Sequence, residues 1–410
     1  MNWKLHIARR LYGSYDNSRR VSRPAIRIAQ AGIGIGLAVM ILSVAVAIGF
    51  QHQVRDRIIG VTAELTVRNL HQQNSFDAAP IHVSDSTLLL VKQVKGVAHA
   101  QRFATKPGMI KTDNDFLGMV LKGIGSDYDT RYLQQHLIDG NMPQFTDTVA
   151  SNQVVISNTF AMKLHLKVGD RIRTYYVDDS DMKARQLTVA GIYETHLTMF
   201  DELFLITDLH TVLRLNHWDR QQASGMEIAA ERYEETDRMR NELSMAFGLD
   251  SDYYVCTVEE AVPGVFAWLR LLDMNVWIIL VLMMGVAGFT VVAGLLILIL
   301  ERTSMIATLK ALGADNVAVR SVFLHLATLI VCKGMIWGNV IGLVACFVQQ
   351  QWQPIALDPA TYYVNAVPIE LGVTHWLLLN IGTLAASVLM LVVPSQLIAH
   401  IHPAKVLQFE

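Results

Sequence analysis

Lys333 is the one Lys or Arg in the apolar run from Ser321 to Val348. An ionisable side chain near the middle of such a run is expensive unless it faces protein or water. It could make a polar contact inside a helix bundle or present a charge to a substrate, and its long stem could equally snorkel to an interface. Gly334, Gly338 and Gly342 beside it have small-xxx-small spacing, which favours close helix packing at this place. His400 and His402 are two apart and fall on different sides of a helix, so they read as interfacial polar residues and not as a metal pair. The sequence has no G-x-x-x-x-G-K-[ST], no H-E-x-x-H and no G-x-S-x-G. No spacing of Asp and Glu singles out a catalytic pair. The expectation is a chain with no catalytic residues, no metal site and no cofactor of its own. Cys256, Cys332 and Cys346 show no pairing suited to a disulfide.

A second stretch carries mechanical chemistry. In "ERTSMIATLKALGADN", Glu301 to Asn316, Met305, Leu309 and Leu312 share one helical face with Ile306 beside it, and Lys310 points elsewhere. Gly313 suits a left-handed helix end, and Asp315 or Asn316 can cap the next helix. Spacing fits two roles equally: a helix lying on lipid, or a helix set into a groove of a cytoplasmic partner.

These segments sit on a strongly apolar chain, with 52% hydrophobic residues against 17% charged. Ile28 to Phe50 and Asn275 to Leu300 carry no charge, and each exceeds the roughly 20 residues that cross a bilayer as a helix. Ser321 to Val348 and Gly372 to Ile401 supply two more spans. The fold class expected is a membrane protein with four transmembrane α-helices and a large extracytoplasmic α+β domain between helices 1 and 2. Lys4, Arg9, Arg10, Arg19, Arg20, Arg23 and Arg27 precede the first span, and Arg302, Lys310 and Arg320 lie between the second and third. The loop from Gln349 to Leu371 has neither Lys nor Arg, so both termini are placed in the cytoplasm. "AVA" at Ala45 to Ala47 and "SRRVSR" at Ser18 to Arg23 resemble signal-sequence features, but the first apolar run is longer than a cleaved signal core and reads as an anchor.

Within the large domain, "ELTVRNL", "QLTVAGIYE" and "MEIAA" read as strands, while "SDSTLLLVKQV" reads as a capped helix. Met239, Leu243 and Phe247 mark a helix ended by Gly248. Phe50, Val54 and Ile58 continue an apolar stripe beyond the first span. Thr257 and Glu260 have capping-box spacing, and Val265, Trp268, Leu269 and Leu272 form one face running into the second span. Both spans are expected to leave the bilayer as paired stalks.

Residue identity adds a resemblance. "ERTSMIATLKALGADNVAVRSVFL" resembles the coupling segment of FtsX-like ABC permeases, and "AGIGIGLAVMILSVAVAIGFQ" is similar to the first span of their LolC/LolE lipoprotein-releasing branch. "VVISNTFAMKLHLKVGD", "LDPATYYVNAVPIEL" and "VPSQLIAHIHPAKVLQFE" also resemble segments of that branch. The resemblance implies a mechanotransmission-type permease of the bacterial inner membrane that extracts lipoproteins for a periplasmic LolA-like carrier. Its partners would be a second permease copy or paralogue, membrane lipids and a cytoplasmic ABC ATPase dimer that binds ATP and Mg; no nucleic acid is implied. An efflux motor of the MacB kind and an FtsX-like regulator of cell-wall hydrolases are the alternatives.

The implied layout is a cytoplasmic N-terminal amphipathic segment (1–27), the first span (28–50) and the periplasmic domain with its stalk ends (51–264). A stalk and second span (265–300), a coupling helix (301–316) and the third span (319–348) follow, then a short periplasmic loop (349–372), the fourth span (373–399) and a cytoplasmic tail (400–410). Glu301, Met305, Ile306, Leu309, Lys310, Leu312 and Gly313 would couple to the ATPase. Met40, Val44, Ile48, Met283 and Phe289 are expected to face substrate. LolC-type chains carry a proline-containing hook; the matching stretch, "YYVDDSDMKARQ" at Tyr175 to Gln186, has no proline, which separates this chain from that mode of carrier recruitment.

Overall fold

Backbone groups in hydrocarbon must be satisfied within their own segment, and the four apolar runs meet that requirement as long helices. The computed structural model describes residues 22–72, 79–111, 116–145, 150–177, 182–248 and 252–396. The expected tail (400–410), with His400 and His402, lies outside the described residues, and of the expected N-terminal segment (1–27) only 22–27 are described, as the start of a long helix. The chain divides into a helical unit and an α+β unit, the latter formed by His52–Ala267 with Leu357–Asn365.

In chain order the helices are α1 (Ser22–Thr62), α2 (Asp85–Gln93), α3 (Arg131–Gln135), α4 (Asn158–Leu164), α5 (Thr198–Asp201), α6 (Leu209–Asn216) and α7 (Thr236–Phe247). They continue as α8 (Val258–Ala261), α9 (Pro263–Glu301), α10 (Thr303–Ala311), α11 (Asn316–Trp352), α12 (Pro359–Tyr362) and α13 (Val373–Ser395). Four of these, α1, α9, α11 and α13, are long and apolar enough to cross a membrane. Three exceed the spans read from composition, because the helices continue into polar sequence at their ends.

The helical unit is built around α1. A Cβ placed on Gly338 of α11 would lie 2.7 Å from the Gly34 carbonyl oxygen, and one on Gly334 would lie 2.9 Å from that of Gln30. The glycine row thus lets two helix backbones touch, as its spacing led us to expect. On another side of α1, a Cβ on Gly32 would meet Thr290 of α9 at 2.8 Å. Ile33, Leu37, Met40, Ile41 and Ala45 fill the space between these contacts, together with Val291, Leu295, Phe323 and Val331. Between α11 and α13, Asn339 donates to Asn380 (2.7 Å), and the Trp376 indole donates to Asn339 (2.7 Å). These amides satisfy one another in an apolar setting. After α11, the Gln349 amide holds the connecting loop by donating to the carbonyls of Ile355 and Val367.

Among the described residues the α+β unit has twelve strands: β1 (Leu65–Asn69), β2 (Ile81–His82), β3 (Val97–Lys111), β4 (Phe116–Ile124), β5 (Leu137–Gly140) and β6 (Gln153–Ser157) open the series. It continues with β7 (Arg171–Val177), β8 (Met182–Tyr193), β9 (Phe204–Asp208), β10 (Gln222–Ala223), β11 (Gly225–Ala230) and β12 (Tyr253–Thr257). The main mixed sheet runs β12-β1-β11-β3-β4-β9-β6-β8-β5, with β7 bridging β3 and β8. Pairs β4–β9 and β6–β8 are parallel. Apolar residues of β1, β11 and β12 form one core with Val91 of α2 and with Met239 and Leu243 of α7. Those of β4, β6, β8 and β9 form another with Phe160 of α4 and Val212 of α6. Local signals placed these helices well: Ser84 accepts from the Thr87 N–H, and Thr257 and Glu260 complete a reciprocal capping box.

One turn is organised by a buried carboxylate. Asp201 accepts from the Thr195 hydroxyl (2.7 Å) and from the Thr195 N–H (3.1 Å). Burial pushes its pKa from the ordinary 3.8 to about 6, with Glu194 acting in the same direction and the Thr195 bonds opposing it.

Two substitutions test this packing. Gly338→Ile must part α1 from α11 and should destabilise the helical unit by about 1–3 kcal/mol or more, lowering the thermal midpoint of the full chain in mild detergent. An unchanged midpoint would show that the helices do not touch there. For Asp201, a raised folded-state pKa means its favourable contribution is present in full below about 3.8 and disappears as pH rises through about 6. Asp201→Asn should remove that component, so the difference in melting between variant and wild type should grow in the variant's favour from pH 4 to pH 7; a difference independent of pH contradicts the assignment.

Candidate functional site

The connection between α9 and α11 is a separate short helix. The chain breaks at Arg302, and the Thr303 hydroxyl bonds back to the Leu300 carbonyl at 2.6 Å. At the other end, Gly313 has φ +89°, its N–H bonds to the Lys310 carbonyl, and the Ala314 N–H bonds to that of Leu309. This is a Schellman stop, and the positive φ explains why glycine is used. Asp315 occupies the cap position of α11, yet its side chain makes no capping hydrogen bond.

The apolar stripe of α10 does not face outward. Ile306 is fully buried in the core that contains Val319 and Phe323, and Met305 and Leu309 pack against the same core. Ile306 is therefore no open anchor, which corrects its part in the expected coupling to the ATPase, whereas Met305 and Leu309 keep part of their surface exposed beside the core. Leu312, at 80% exposed, and Val317 carry the exposed apolar surface at the turn, with Thr308 and Gly313 also exposed and Lys310 half-buried; Glu301, exposed as well, lies at the other end of α10.

The residues expected to face substrate separate in a similar way. Met40 is fully buried between helices of a single chain, which corrects its assignment to an open surface. Met283 is half-buried against the same core, Val44 and Ile48 are half-buried, and Phe289 is 78% exposed. Lys333 lies on an exposed flank of α11 beside buried Gly334. Of the stalk residues, Phe50, Val54, Ile58, Val265 and Leu269 are buried, whereas Trp268 and Leu272 are half-buried. Phe50 meets the Trp268 ring edge-on at 6.2 Å, which pairs α1 with α9 at this level.

Sequence reading missed a polar layer in the α+β unit. Thr66, Gln101, Thr105, Lys122 and Glu227 are all buried, on neighbouring strands β1, β3, β4 and β11. Register places Lys122 opposite Thr105, Glu227 opposite Gln101 and Thr66 opposite Glu227. The Lys122 ammonium donates to Glu227 (2.6 Å), to the Tyr128 hydroxyl (2.8 Å) and to the Val61 carbonyl in the last turn of α1 (3.3 Å). Gln101 donates to the second Glu227 oxygen at 3.1 Å and accepts from the Asp129 N–H at 2.8 Å. Burial pushes the Tyr128 phenol well above its usual pKa, and Glu227 adds to the shift, so the hydroxyl stays protonated. A cavity of about 50 Å³ adjoins the pair, lined in part by Thr62, Arg68, Phe200 and Ser224. A lysine within "MVLKGIG" was a faint signal of this layer; Tyr128 is six residues away, but Val61 and Glu227 lie too far along the chain to be read from it.

The last turns of α1 fit closely into the same unit. The Arg55 guanidinium sits 4.3 Å from the Tyr233 ring centre, and the Tyr233 hydroxyl donates to Glu259 at 2.6 Å. Beyond Thr62 the chain turns through Ala63 at φ +72°, an unusual conformation for a residue with a side chain. Glu64 then accepts from the Ala230 N–H of β11 at 3.2 Å.

Comparison with known proteins matches both units. Residues 28–246 match the family described as MacB-like periplasmic core domain, and residues 277–403 match the FtsX-like permease C-terminal family. The chain is 22% identical over 378 residues to the lipoprotein-releasing system transmembrane protein LolC of Xylella fastidiosa, covering 88% of each chain. It is 22% identical over 381 residues to the corresponding LolE protein of Haemophilus influenzae, again over 88% of each. Among solved structures, the periplasmic region of MacB from Actinobacillus actinomycetemcomitans aligns with a TM-score of 0.35 and 13% identity, over 52% of this chain and 97% of that one.

Proposed function

Since the chain belongs to the MacB-like family, as an ABC-type permease with a MacB-like periplasmic core domain and an FtsX-like C-terminal region, we propose that it is the membrane subunit of a lipoprotein-releasing transporter. In this reading it lies in the bacterial inner membrane with both termini cytoplasmic, and pairs with a second permease copy or paralogue. It draws on ATP hydrolysed with Mg by a separate ATPase dimer, and delivers the lipoprotein to a periplasmic carrier. The observation that carries this reading is the collinear similarity to LolC and LolE proteins through nearly the whole length of each chain.

The physical task agrees with the parts available. Withdrawing an acyl chain from lipid costs about 0.8 kcal/mol per CH₂, so release needs an external source of free energy. The chain offers no nucleotide-binding loop of the P-loop type in its sequence. The turn after α10 offers the ATPase an exposed apolar tip, with Leu312 and Val317 as contacts. Met305, Ile306 and Leu309 back that tip by fixing α10 to α11. A push on Leu312 would therefore be transferred to α11 through packed side chains. Phe289 is the most open of the proposed substrate-facing residues.

The reading is tested by reconstituting the full chain with its ATPase, an acylated protein and a carrier in proteoliposomes, where ATP-dependent release is expected. Leu312→Asp should leave the chain folded and inserted but lower ATPase co-purification by about tenfold or more, the effect of losing one buried apolar anchor. Leu309→Asp should instead destabilise the chain itself. Undiminished co-purification of Leu312→Asp would remove the tip from the interface, and failure of the wild-type system to release lipoprotein would remove the substrate assignment.

A further inference from the structure

We propose that Lys122 is a positioning residue that fixes the C-terminal end of α1 to the sheet, so that a displacement of α1 reaches β4 and β11 together. Its role in transport rests on the function proposed above; the fixing itself does not.

Three observations carry the inference. First, the ammonium has three donors, and they are distributed to three different elements: Glu227 on β11, Tyr128 in the segment after β4, and the Val61 carbonyl on α1. Those bonds define the orientation of the helix end relative to two strands. Second, Val61 belongs to the last turn of α1, whose carbonyls have no partner within the helix. A charged donor brought from the sheet is a stronger tether than water there. Third, a buried ion pair is a weak source of stability, because desolvation offsets most of the attraction, and apolar side chains of similar volume often serve as well. What Lys122 and Glu227 provide that such side chains cannot is direction.

The layer behind the pair is also braced. Gln101 on β3 holds the second Glu227 oxygen and the Asp129 N–H, so β3, β4 and β11 share one network with the helix end. Val61 belongs to the same unbroken helix, Ser22 to Thr62, as the apolar run. The adjoining cavity of about 50 Å³ gives the joint room to shift without repacking the cores on the other face of the sheet.

The test uses the full chain in the reconstituted complex, with Cys256, Cys332 and Cys346 replaced by Ala. Spin labels are placed at exposed Gln53 on α1 and exposed Ser86 on α2. In Lys122→Met/Glu227→Leu the pair is replaced by apolar side chains of similar volume. The melting midpoint should stay near that of the parent, while the Gln53–Ser86 distance distribution broadens from one population to several. Lipoprotein release should fall about tenfold, corresponding to loss of roughly one hydrogen bond of coupling, with ATP hydrolysis retained. If that variant does not fold, Lys122→Gln/Glu227→Gln keeps the site polar but is one bond too short to hold Val61, and should broaden the distribution equally. A narrow, parent-like distribution in a folded variant overturns the proposal whatever release does. A broadened distribution in a system whose wild type releases no lipoprotein supports the joint and rejects the transport reading instead.

Discussion

A helix that ends inside a protein leaves carbonyls that need donors, and here the last turn of α1 receives one from a buried ammonium. That interaction constrains much around it. A buried ammonium needs a counter-charge, which places Glu227 on β11. The carboxylate's second oxygen needs its own donor, which brings in Gln101 on β3. The polar layer shares its face of the sheet with apolar side chains, among them Phe103 beneath the ammonium. The two hydrophobic cores lie among the helices α2 and α7 at one end of the sheet and α4 and α6 at the other.

The helical unit is constrained differently, by contact between backbones. Between α1 and α11 glycine meets carbonyl, from Gly334 and Gly338 to Gln30 and Gly34. Hydrophobic burial does not drive helices together in lipid, so close approach and short interhelical hydrogen bonds must hold them. The Asn339–Asn380–Trp376 cluster supplies the latter between α11 and α13. The consequence is that α1 is largely covered by its own chain. This is why Met40, though correctly placed on a membrane-crossing segment, offers no open surface.

Much of the fold was legible because the relevant signals are local. Charge-free runs mark apolar helices, glycine spacing marks a backbone contact, and Thr257 with Glu260 marks a helix start. The site was legible only in part. Periodicity shows that Met305, Leu309 and Leu312 share a face with Ile306 beside it, but it does not say what covers that face; the chain's own core buries Ile306 and part of Met305 and Leu309 and leaves Leu312 open. Lys122 was still less readable. A lysine in an alternating strand ordinarily points to solvent, and the acceptor that pairs with its charge, Glu227, is brought near by the strand order β11-β3-β4.

The same distinction bears on how force could pass through the molecule. Apolar contacts at α10 resist compression but have little preferred direction. The three bonds of Lys122 are directional and fail under misalignment, so they suit a place where orientation must be kept. Both kinds of contact occur in this chain, the apolar one at α10 and the directional one at the last turn of α1. The deeply buried charge in the sheet is then understood through geometry: it is tolerated because an apolar replacement could fill the space without fixing the helix end.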